Sequence, residues 1–262
     1  MNKINSWDEE KLNLKNNLLR GIYSYGFESP SSIQKLALYP LIYGKDGVEK
    51  DIIAQAQSGT GKTGTFVVGT LQKIDEKSNK LQALIMAPTH ELARQIKNVL
   101  DSIGHYLKIN SMLLVGGTSV DDDRKQLLEN NHQVIVGTPG RIQDMIRRRC
   151  LKLSTLKLLI IDEADEMLSS GFKDQISKIF NAMPETIKIG LFSATLPVEL
   201  LEITKLFMQD PIKILVKNEE LTLQGISQYF VNLNSDSEKY DKLKDIFATI
   251  TISQSIIYCN SV

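Results

Sequence analysis

A segment rich in glycine and hydroxyl residues joins a predicted strand to a predicted helix and has the composition of a phosphate-binding loop. Residues 52–63 read IIAQAQSGTGKT, in which an apolar run precedes the loop and Lys62-Thr63 open the helix. Backbone N–H groups of such a loop surround a phosphate, and the helix N-terminus adds donors and its dipole. We expect Lys62 to reach the β- and γ-phosphates of a nucleotide and the Thr63 hydroxyl to help hold Mg²⁺. The expected loop residues are Gln57, Ser58, Gly59, Thr60 and Gly61.

The first position of this loop departs from the usual pattern. G-x-x-x-x-G-K-[ST] is typical of phosphate-binding loops, and Ala56 stands where the first glycine is expected. Taken alone, residues 52–63 also fit a glycine-rich turn that binds no ligand. Residues elsewhere in the chain must decide between these two interpretations.

Two carboxylates directly follow another apolar run. Asp162 and Glu163 come after LLII at 158–161, on a strand that we expect to neighbour the strand before the phosphate loop. In that place Asp162 would hold Mg²⁺, and Glu163 would orient or deprotonate the water that attacks the nucleotide. An acidic first turn favoured by the helix dipole is the alternative for this pair taken alone.

Two side chains upstream of the loop are candidates for binding a nucleotide base. The Gln34 amide both donates and accepts hydrogen bonds, which suits the N6/N7 edge of adenine. Phe27 has an aromatic face on which a base can stack. A solvated helix residue is the alternative for Gln34 alone.

Three further strand ends carry residues suited to a phosphate backbone. Thr89 and Thr138 each follow a predicted strand and can cap the next helix, and a capped helix N-terminus binds phosphate without reading sequence. Arg141 would add a charge-assisted contact. Gly116 and Gly117 would let a nucleic-acid strand approach the backbone closely. These residues predict a sequence-independent nucleic-acid surface.

The order of the predicted elements indicates the fold class. Short apolar strands alternate with helical patterns, which is typical of an α/β fold with a doubly wound parallel sheet. Ligands of such folds bind at the carboxyl ends of the strands, where the candidate residues lie. The predicted strands are 52–54, 84–87, 112–115, 134–136, 158–161 and 187–192.

Past Pro211 the pattern changes, and the sequence predicts four regions. They are an N-terminal extension with a helix at 1–25, a nucleotide-binding lobe at 26–216, a linker at 217–225 and a further segment at 226–262. The last segment is predicted to contain a strand at 226–233, a helix at 238–249 and a strand at 255–259. Two strands and one helix cannot bury a core alone, so we expect the beginning of an incomplete second lobe.

The composition narrows the class of protein. Hydrophobic residues make up 42% and charged residues 24% of the 262 residues, which is ordinary for a soluble globular protein. Basic and acidic residues number 31 each, so nucleic-acid binding must come from the local placement of donors and charges. Two distant cysteines and the absence of a membrane-spanning apolar run favour a soluble protein of the cytoplasm or nucleus.

The candidate residues stand in the order of the motifs of the DEAD-box RNA helicases, and the chain resembles that family. The matching segments are GFESPSSIQ at 26–34, AQSGTGKT at 56–63, PTHELA at 88–93, GG at 116–117, TPGR at 138–141, DEAD at 162–165 and SAT at 193–195. Residues 172–176 and 210–226 are similar to the translation-initiation-factor 4A branch. The exon-junction branch shares most of these features, so both branches stay open.

The resemblance implies a RecA-like fold and assigns roles to several residues. The main lobe would be the N-terminal RecA-like helicase lobe, which binds ATP and Mg²⁺ and uses Lys62, Asp162 and Glu163 in catalysis. Ser193 and Thr195 would bond to Asp165 and link nucleotide state to RNA binding. The RNA backbone would follow Pro88, Thr89, Gly116, Gly117, Thr138, Pro139, Gly140 and Arg141. Residues 226–262 would begin a second RecA-like lobe, which in the family carries an arginine-rich motif that completes the ATP site.

Two residues depart from the family pattern. His90 replaces an arginine in the segment 88–93, so the resemblance does not carry the family's basic contact to RNA over to this position. Gly64 stands where alanine is usual, which weakens a helix interior by about 1 kcal/mol.

The resemblance implies an ATP-dependent RNA helicase that remodels short RNA duplexes. Its partners would be RNA and a translation-initiation scaffold protein, and it would act as a monomer in the cytoplasm or nucleus. A nucleotide- or scaffold-binding module without efficient turnover is the alternative. An unrelated P-loop kinase or transporter ATPase would fit the loop at 56–63 but neither Gln34 nor the DEAD and SAT segments.

Overall fold

The computed structural model of the protein describes residues 3–169, 171–215, 227 and 229–259. The chain contains two units, Met1–Thr222 and Leu223–Val262. None of the described helices is long and apolar enough to cross a lipid bilayer.

The first unit alternates strands with helices along most of its length. Its described strands are β1 (Ile52–Gln55), β2 (Ala83–Met86), β3 (Ser111–Leu114), β4 (Val134–Gly137), β5 (Leu158–Ile161), β6 (Lys188–Ser193) and β7 (Ile212–Leu215). Its described α-helices are α1 (Asn16–Ser24), α2 (Ser32–Tyr43), α3 (Lys62–Lys73), α4 (His90–Ile103), α5 (Val120–Glu129), α6 (Pro139–Arg147), α7 (Ala164–Ser169), α8 (Lys173–Phe180) and α9 (Val198–Thr204). A short 3-10 helix, Glu10–Leu12, precedes α1.

The strands form one parallel sheet in the order β3-β4-β2-β5-β6-β1-β7. Strands β2, β4 and β5 are buried at every residue, because helices cover both faces of the sheet. The edge strands β3 and β7 alternate buried with more exposed residues. The predicted α/β class with a doubly wound parallel sheet is therefore confirmed.

Two apolar cores lie on opposite faces of this sheet. One core contains side chains of α1 to α4 and of alternate strand residues such as Ile52 and Ala54. The other contains side chains of α6 to α9 and the intervening strand residue Ile53. Ile4 and Trp7, which precede the first helix, belong to the first core. The N-terminal residues therefore stabilise the same unit as the sheet.

The structure corrects three details of the predicted order of elements. Helix α8 and strand β7 were not predicted, and the α-helix expected within residues 1–25 occupies only Asn16–Ser24. Strand β5 does not neighbour β1, because β6 lies between them. Every one of the six predicted strands exists within one residue or two of its expected bounds.

The second unit contains the predicted helix, here α10 (Lys239–Thr249), after a 3-10 turn at Asp236–Glu238. The two predicted strands at 226–233 and 255–259 are wrong for the residues that the structure describes, since none of these is in a strand. A strand needs a hydrogen-bonded partner, and the apolar pattern alone does not supply one. Residues 226 and 228 lie outside the described part of the chain.

Candidate functional site

The carboxyl ends of the strands carry the predicted site residues in two groups. Because β6 lies between β1 and β5, the residues after β6 stand between the loop after β1 and the carboxylates after β5. Strands β2, β4 and β3 are neighbours in the other half of the sheet and carry the second group of candidates. The parallel sheet thus gathers six distant sequence segments along one edge.

The loop after β1 has the backbone conformation of an anion-binding turn. Gly59 and Gly61 have φ values of 80° and 103°, a region in which a side chain would be strained. Residues 57–59 are exposed, whereas Lys62 at the start of α3 is 5% exposed. The loop is therefore open to solvent at the N-terminus of α3, the place at which a phosphate can bind.

Lys62 forms an ion pair with Glu163 across the site. Its Nζ donates to Glu163 Oε1 at 2.9 Å and to Oε2 at 3.1 Å. The long lysine side chain bridges the width of β6, so the phosphate loop reaches β5 although the two strands are not adjacent. The candidate phosphate-binding cation and the candidate base therefore meet directly.

Asp162 is the more deeply buried of the two carboxylates, with 2% of its surface exposed. The pKa of Asp162 is raised to about 7, and burial is the largest cause. The negative charge of Glu163 also raises this pKa, by more than the positive charge of Lys62 lowers it. Asp162 Oδ1 accepts a hydrogen bond from the Glu163 N–H at 3.0 Å. Glu163 has a φ of 46°, a strained value for a residue with a side chain, and such strain is concentrated at functional sites.

The donors present fit a magnesium–nucleotide complex rather than a metal held by protein alone. Among the described residues no group of three His, Cys, Asp or Glu side chains could hold a metal ion. Mg²⁺ commonly uses one or two protein oxygens and takes its remaining ligands from water and substrate phosphates. The Asp162 carboxylate and the Thr63 hydroxyl are of the required type.

Asp165 is bound to the residues that follow β6. Its Oδ2 accepts hydrogen bonds from Thr195 Oγ1 at 2.6 Å and from the Thr195 N–H at 3.1 Å. Its own N–H donates to Ser193 Oγ at 3.2 Å. Burial alone would raise the pKa of Asp165, but these hydrogen bonds hold it below its usual value. The ends of β5 and β6 are thus fastened together beside Glu163.

The two base-binding candidates lie against the phosphate loop. Gln34 is 3% exposed; its Oε1 accepts from the Ser31 N–H at 2.7 Å and its Nε2 donates to the Gly61 carbonyl at 3.3 Å. The solvated alternative for Gln34 is therefore wrong. Phe27 is half-buried and lies nearly parallel to the Trp7 ring, with 6.1 Å between the ring centroids.

The second group divides into exposed and buried residues. Thr89, Gly117 and Gly140 are exposed and Gly116 is half-exposed at the ends of β2, β3 and β4. Thr89 caps α4, since its Oγ1 accepts from the Leu92 N–H at 3.2 Å. The buried members of the group are Pro88, Thr138, Pro139 and Arg141.

The Arg141 guanidinium donates its hydrogen bonds to groups inside the protein. Its guanidinium donates to Asp123, to Thr118 Oγ1 at 3.1 Å and to the Thr118 carbonyl at 2.8 Å. The side chains of Arg141 and Asp123 are each 8% exposed. We expected a direct charge-assisted contact to phosphate, but most of this charge is directed at Asp123 because burial requires a paired carboxylate. Arg141 thus holds the loop after Gly117 against α5 and α6.

Thr118 and Asp123 are functional candidates that the sequence did not reveal. Asp123 is the third of three aspartates in the first turn of α5, a pattern that the helix dipole already explains. Only the tertiary contact with Arg141 distinguishes it from Asp121 and Asp122, which are exposed.

A comparison of sequence agrees with this geometry, because the profile of the DEAD/DEAH box helicase family matches residues 31–203. The chain belongs to the DEAD/DEAH box helicase family. It is 51% identical to Eukaryotic initiation factor 4A of Caenorhabditis elegans, over 98% of this chain and 62% of that protein. It is 54% identical to the ATP-dependent RNA helicase eIF4A of Yarrowia lipolytica, over 98% of this chain and 63% of that protein. The chain thus spans less than two thirds of the length of these relatives.

Solved DEAD-box structures share the fold. A DEAD box protein from the hyperthermophile Methanococcus jannaschii has a TM-score of 0.77 and 35% identity, over 94% of this chain and 64% of that one. Dbp5 of S. cerevisiae, in a structure bound to RNA and ADP BeF3, has a TM-score of 0.80 and 34% identity, over 93% of this chain and 60% of that one. These similarities confirm the RecA-like fold that the motifs of this DEAD-box chain imply.

Proposed function

We propose that this chain is the ATP-binding part of an ATP-dependent RNA helicase that remodels short RNA duplexes, in translation initiation. The observation that carries the proposal is the grouping at one sheet edge of the Lys62–Glu163 pair with the Asp165–Thr195 link. Nucleotide hydrolysis needs a cation at the phosphate loop and a carboxylate within its reach. Coupling of hydrolysis to RNA binding needs a link from this carboxylate's strand to the neighbouring strand. Membership of the helicase family supports the same activity.

ATP would be held by residues from three elements. The loop residues 57–61 and Lys62 bind the phosphates, while Gln34 and Phe27 contact the adenine. Thr63 and Asp162 hold Mg²⁺, which neutralises the phosphate charge when it is bound.

Glu163 would gain its catalytic role when nucleotide binds. A phosphate arriving at Lys62 competes with Glu163 for the same ammonium group, because both are anions within its hydrogen-bonding reach. A Glu163 carboxylate released from this pair can orient the attacking water and accept its proton. The ion pair therefore keeps the base engaged in the nucleotide-free site.

RNA would bind along the other half of the edge through its backbone. The exposed and half-exposed residues of this group would contact the RNA backbone; they are Thr89, Gly116, Gly117 and Gly140. Contacts to the backbone do not depend on the base sequence of the RNA. The buried residues Pro88, Thr138, Pro139 and Arg141 support that surface from beneath. Asp165, Ser193 and Thr195 would connect the RNA half to the nucleotide half.

The proposal extends to the organisation of the whole protein. Residues 1–25 form the extension, 26–216 the ATP-binding lobe, 217–225 a linker and 226–262 the start of a second RecA-like lobe. An arginine supplied from a second lobe can contribute about 10³–10⁵ in rate, so this chain alone should hydrolyse ATP slowly. The relatives named as initiation factor 4A support a role in translation initiation. The same proposal includes a monomeric protein of the cytoplasm or nucleus that binds a translation-initiation scaffold.

The test is RNA-stimulated ATP turnover. We would compare this chain with the same chain joined to the part of the Yarrowia relative that lies beyond the aligned region. The joined protein should hydrolyse ATP at least about 10³-fold faster with RNA than this chain does. Glu163→Gln should slow the joined protein by about 100-fold or more and leave ATP binding in place.

The exposed Glu199→Gln on α9 is the matched control, since it makes the same chemical change outside the site. The proposal would be contradicted if RNA did not stimulate ATP hydrolysis by the joined protein. It would also be contradicted if Glu163→Gln left the rate of ATP hydrolysis unchanged. ATP binding without turnover in the joined protein would favour a nucleotide-binding module instead.

A further inference from the structure

Gln55, the last residue of β1, makes a side-chain hydrogen bond to the segment that follows β6. It is half-buried, and its Nε2 donates to the Ala194 carbonyl at 3.2 Å. Strands β1 and β6 pair in register up to Gln55 and Ser193. The bond therefore joins the strand that leads into the phosphate loop to the SAT segment at 193–195.

The Gln55 side chain extends the pairing of the two strands beyond the reach of the backbone. The Ala56 N–H donates to the Ser193 carbonyl at 3.1 Å, and the chain then turns into the phosphate loop. A carbonyl past the end of a strand needs a donor from elsewhere, because an unpaired backbone group costs free energy where water is excluded. The Gln55 amide supplies that donor for the next carbonyl, which is that of Ala194.

The peptide group between Ala194 and Thr195 is held at both of its ends. Its carbonyl accepts from Gln55, and its N–H, which belongs to Thr195, donates to Asp165 Oδ2 at 3.1 Å. The carbonyl and the N–H of a planar trans peptide point in opposite directions and turn together. Because β6 lies between β1 and β5, one end of this peptide reaches the strand of the phosphate loop and the other reaches the carboxylate after β5.

We propose that Gln55 is a positioning residue that transmits a change at the phosphate loop to the bond between Thr195 and Asp165. This proposal rests on the proposed function, in which the phosphate loop holds the nucleotide and Asp165 connects the two halves of the site. Gln55 acts through one peptide group rather than on the nucleotide. By fixing the rotation of that peptide, it sets the direction in which the Thr195 N–H points.

Methionine at position 55 separates this role from a general support of the strands. Its side chain has the length of glutamine but no N–H donor, so the Ala194 carbonyl loses its partner while the packing is kept. The Thr195 N–H should then be free to turn and should respond less to nucleotide binding. A merely structural role for Gln55 would instead disturb strand pairing and phosphate binding together.

The experiment records the backbone amide signals of the isotope-labelled chain by NMR, with and without ATP and Mg²⁺. In the unsubstituted chain we expect ATP to shift the signals of residues 58–61 and that of Thr195. In Gln55→Met the shift of the Thr195 signal should fall about threefold or more, since the net free energy of one hydrogen bond corresponds to a factor of this size. The signals of residues 58–61 should still shift, with a nearly unchanged ATP dissociation constant.

Gln126→Met is the matched control, because Gln126 is exposed on α5 and the substitution makes the same chemical change outside both groups of site residues. It should leave the Thr195 response as it is. Hydrogen exchange of the Ala56 N–H is the second control, since this group reports the pairing of β1 with β6 and should exchange at the same rate in Gln55→Met. If Gln55→Met does not fold, Gln55→Glu, which keeps the shape of the side chain and also lacks the donor, carries the same measurement.

A Thr195 signal that does not respond to ATP in the unsubstituted chain, although residues 58–61 do, would overturn the inference and leave the proposed function in place. A full Thr195 response in Gln55→Met would overturn it as well. Faster exchange of the Ala56 N–H together with weaker ATP binding in that variant would also overturn it, because Gln55 would then act on the strands as a whole. An ATP titration that shifts no signal of residues 58–61 in the unsubstituted chain would contradict the proposed function itself.

Discussion

Three ionisable side chains, Lys62, Asp162 and Glu163, meet at the carboxyl end of β5, and the other two influence the pKa of Asp162. Lys62 is the cation among them, and it is paired with Glu163 at 2.9 Å. No cation among the described residues forms an ion pair with Asp162, which is 2% exposed and lies beside a second negative charge. Desolvation and repulsion therefore hold its proton to about pH 7 in the nucleotide-free protein.

This raised pKa predicts a pH dependence of stability in the protein without nucleotide or metal. Since the folded pKa of about 7 exceeds the ordinary aspartate pKa of 3.8, the folded state binds more protons than the unfolded state between these values. The contribution of Asp162 to the free energy of unfolding should thus decrease as pH rises through that window, by up to about 4 kcal/mol. Asp162→Asn should remove this slope, as measured by urea unfolding at a series of pH values with a chelator present.

Asp122→Asn is the control, because Asp122 is exposed on α5 and should leave the slope as it is. If the unsubstituted protein and Asp162→Asn lose stability in parallel from about pH 4 to about pH 7, Asp162 has an ordinary pKa and the electrostatic account is wrong.

At this scale the sequence predicts which residues matter but not how they pair. The types and order of Lys62, Asp162 and Glu163 follow from the motifs, whereas the ion pair joins residues 101 positions apart. Gly64 shows the same limit. From helix propensity alone, Gly64 is expected only to destabilise α3. Its position against Gln34 depends on a distance in the tertiary structure that no local sequence pattern contains.

At the scale of elements, one buried ion pair fastens α5, α6 and the loop after β3. Arg141 and Asp123 are each 8% exposed, and the guanidinium also binds both the hydroxyl and the carbonyl of Thr118. Removing one partner of a buried pair leaves the other charge without compensation, which is more costly than losing an exposed pair.

We therefore expect Asp123→Ala to lower the free energy of unfolding by about 3–5 kcal/mol, measured by urea denaturation. RNA affinity should also fall, because the loop with Gly117 loses its support although Asp123 is not on the proposed RNA surface. Fluorescence anisotropy with a short single-stranded RNA would measure that loss.

Asp121→Ala tests whether the effect belongs to the ion pair. Asp121 stands in the same first turn and is exposed, so only a small helix-dipole contribution of up to about 1 kcal/mol is lost. Equal effects of the two substitutions would show that Asp123 acts through the helix dipole alone.

The sequence prediction errs on strands in two ways, and both errors have a physical cause. Strand β7 is a four-residue edge strand whose burial alternates, so it lacks the fully apolar run that reveals β2, β4 and β5. In the opposite case, the apolar runs at 226–233 and 255–259 have strand-like composition, yet their described residues are not in a strand. A strand pattern predicts a propensity, and only pairing turns it into a strand.

At the scale of the whole molecule, the two units differ in how much they bury. The first contains both apolar cores on the two faces of the sheet. Of the residues described between 227 and 259, none is buried, and Tyr229, Phe230 and Tyr258 are 91%, 86% and 89% exposed. Because stability comes mainly from apolar surface removed from water, the first unit should hold nearly all of it.

A chain that ends at Thr222 should therefore unfold like the longer one. We expect the free energies of unfolding to agree within about 1 kcal/mol, since the described residues among those removed lie outside both cores. The slope of that free energy against urea concentration should also change little, because it follows the surface exposed on unfolding. If the shorter chain lost more than about 2 kcal/mol of the free energy of unfolding and had a smaller slope against urea, residues 223–262 would bury apolar surface in solution. The conclusion that the first unit holds nearly all of the stability would then be wrong.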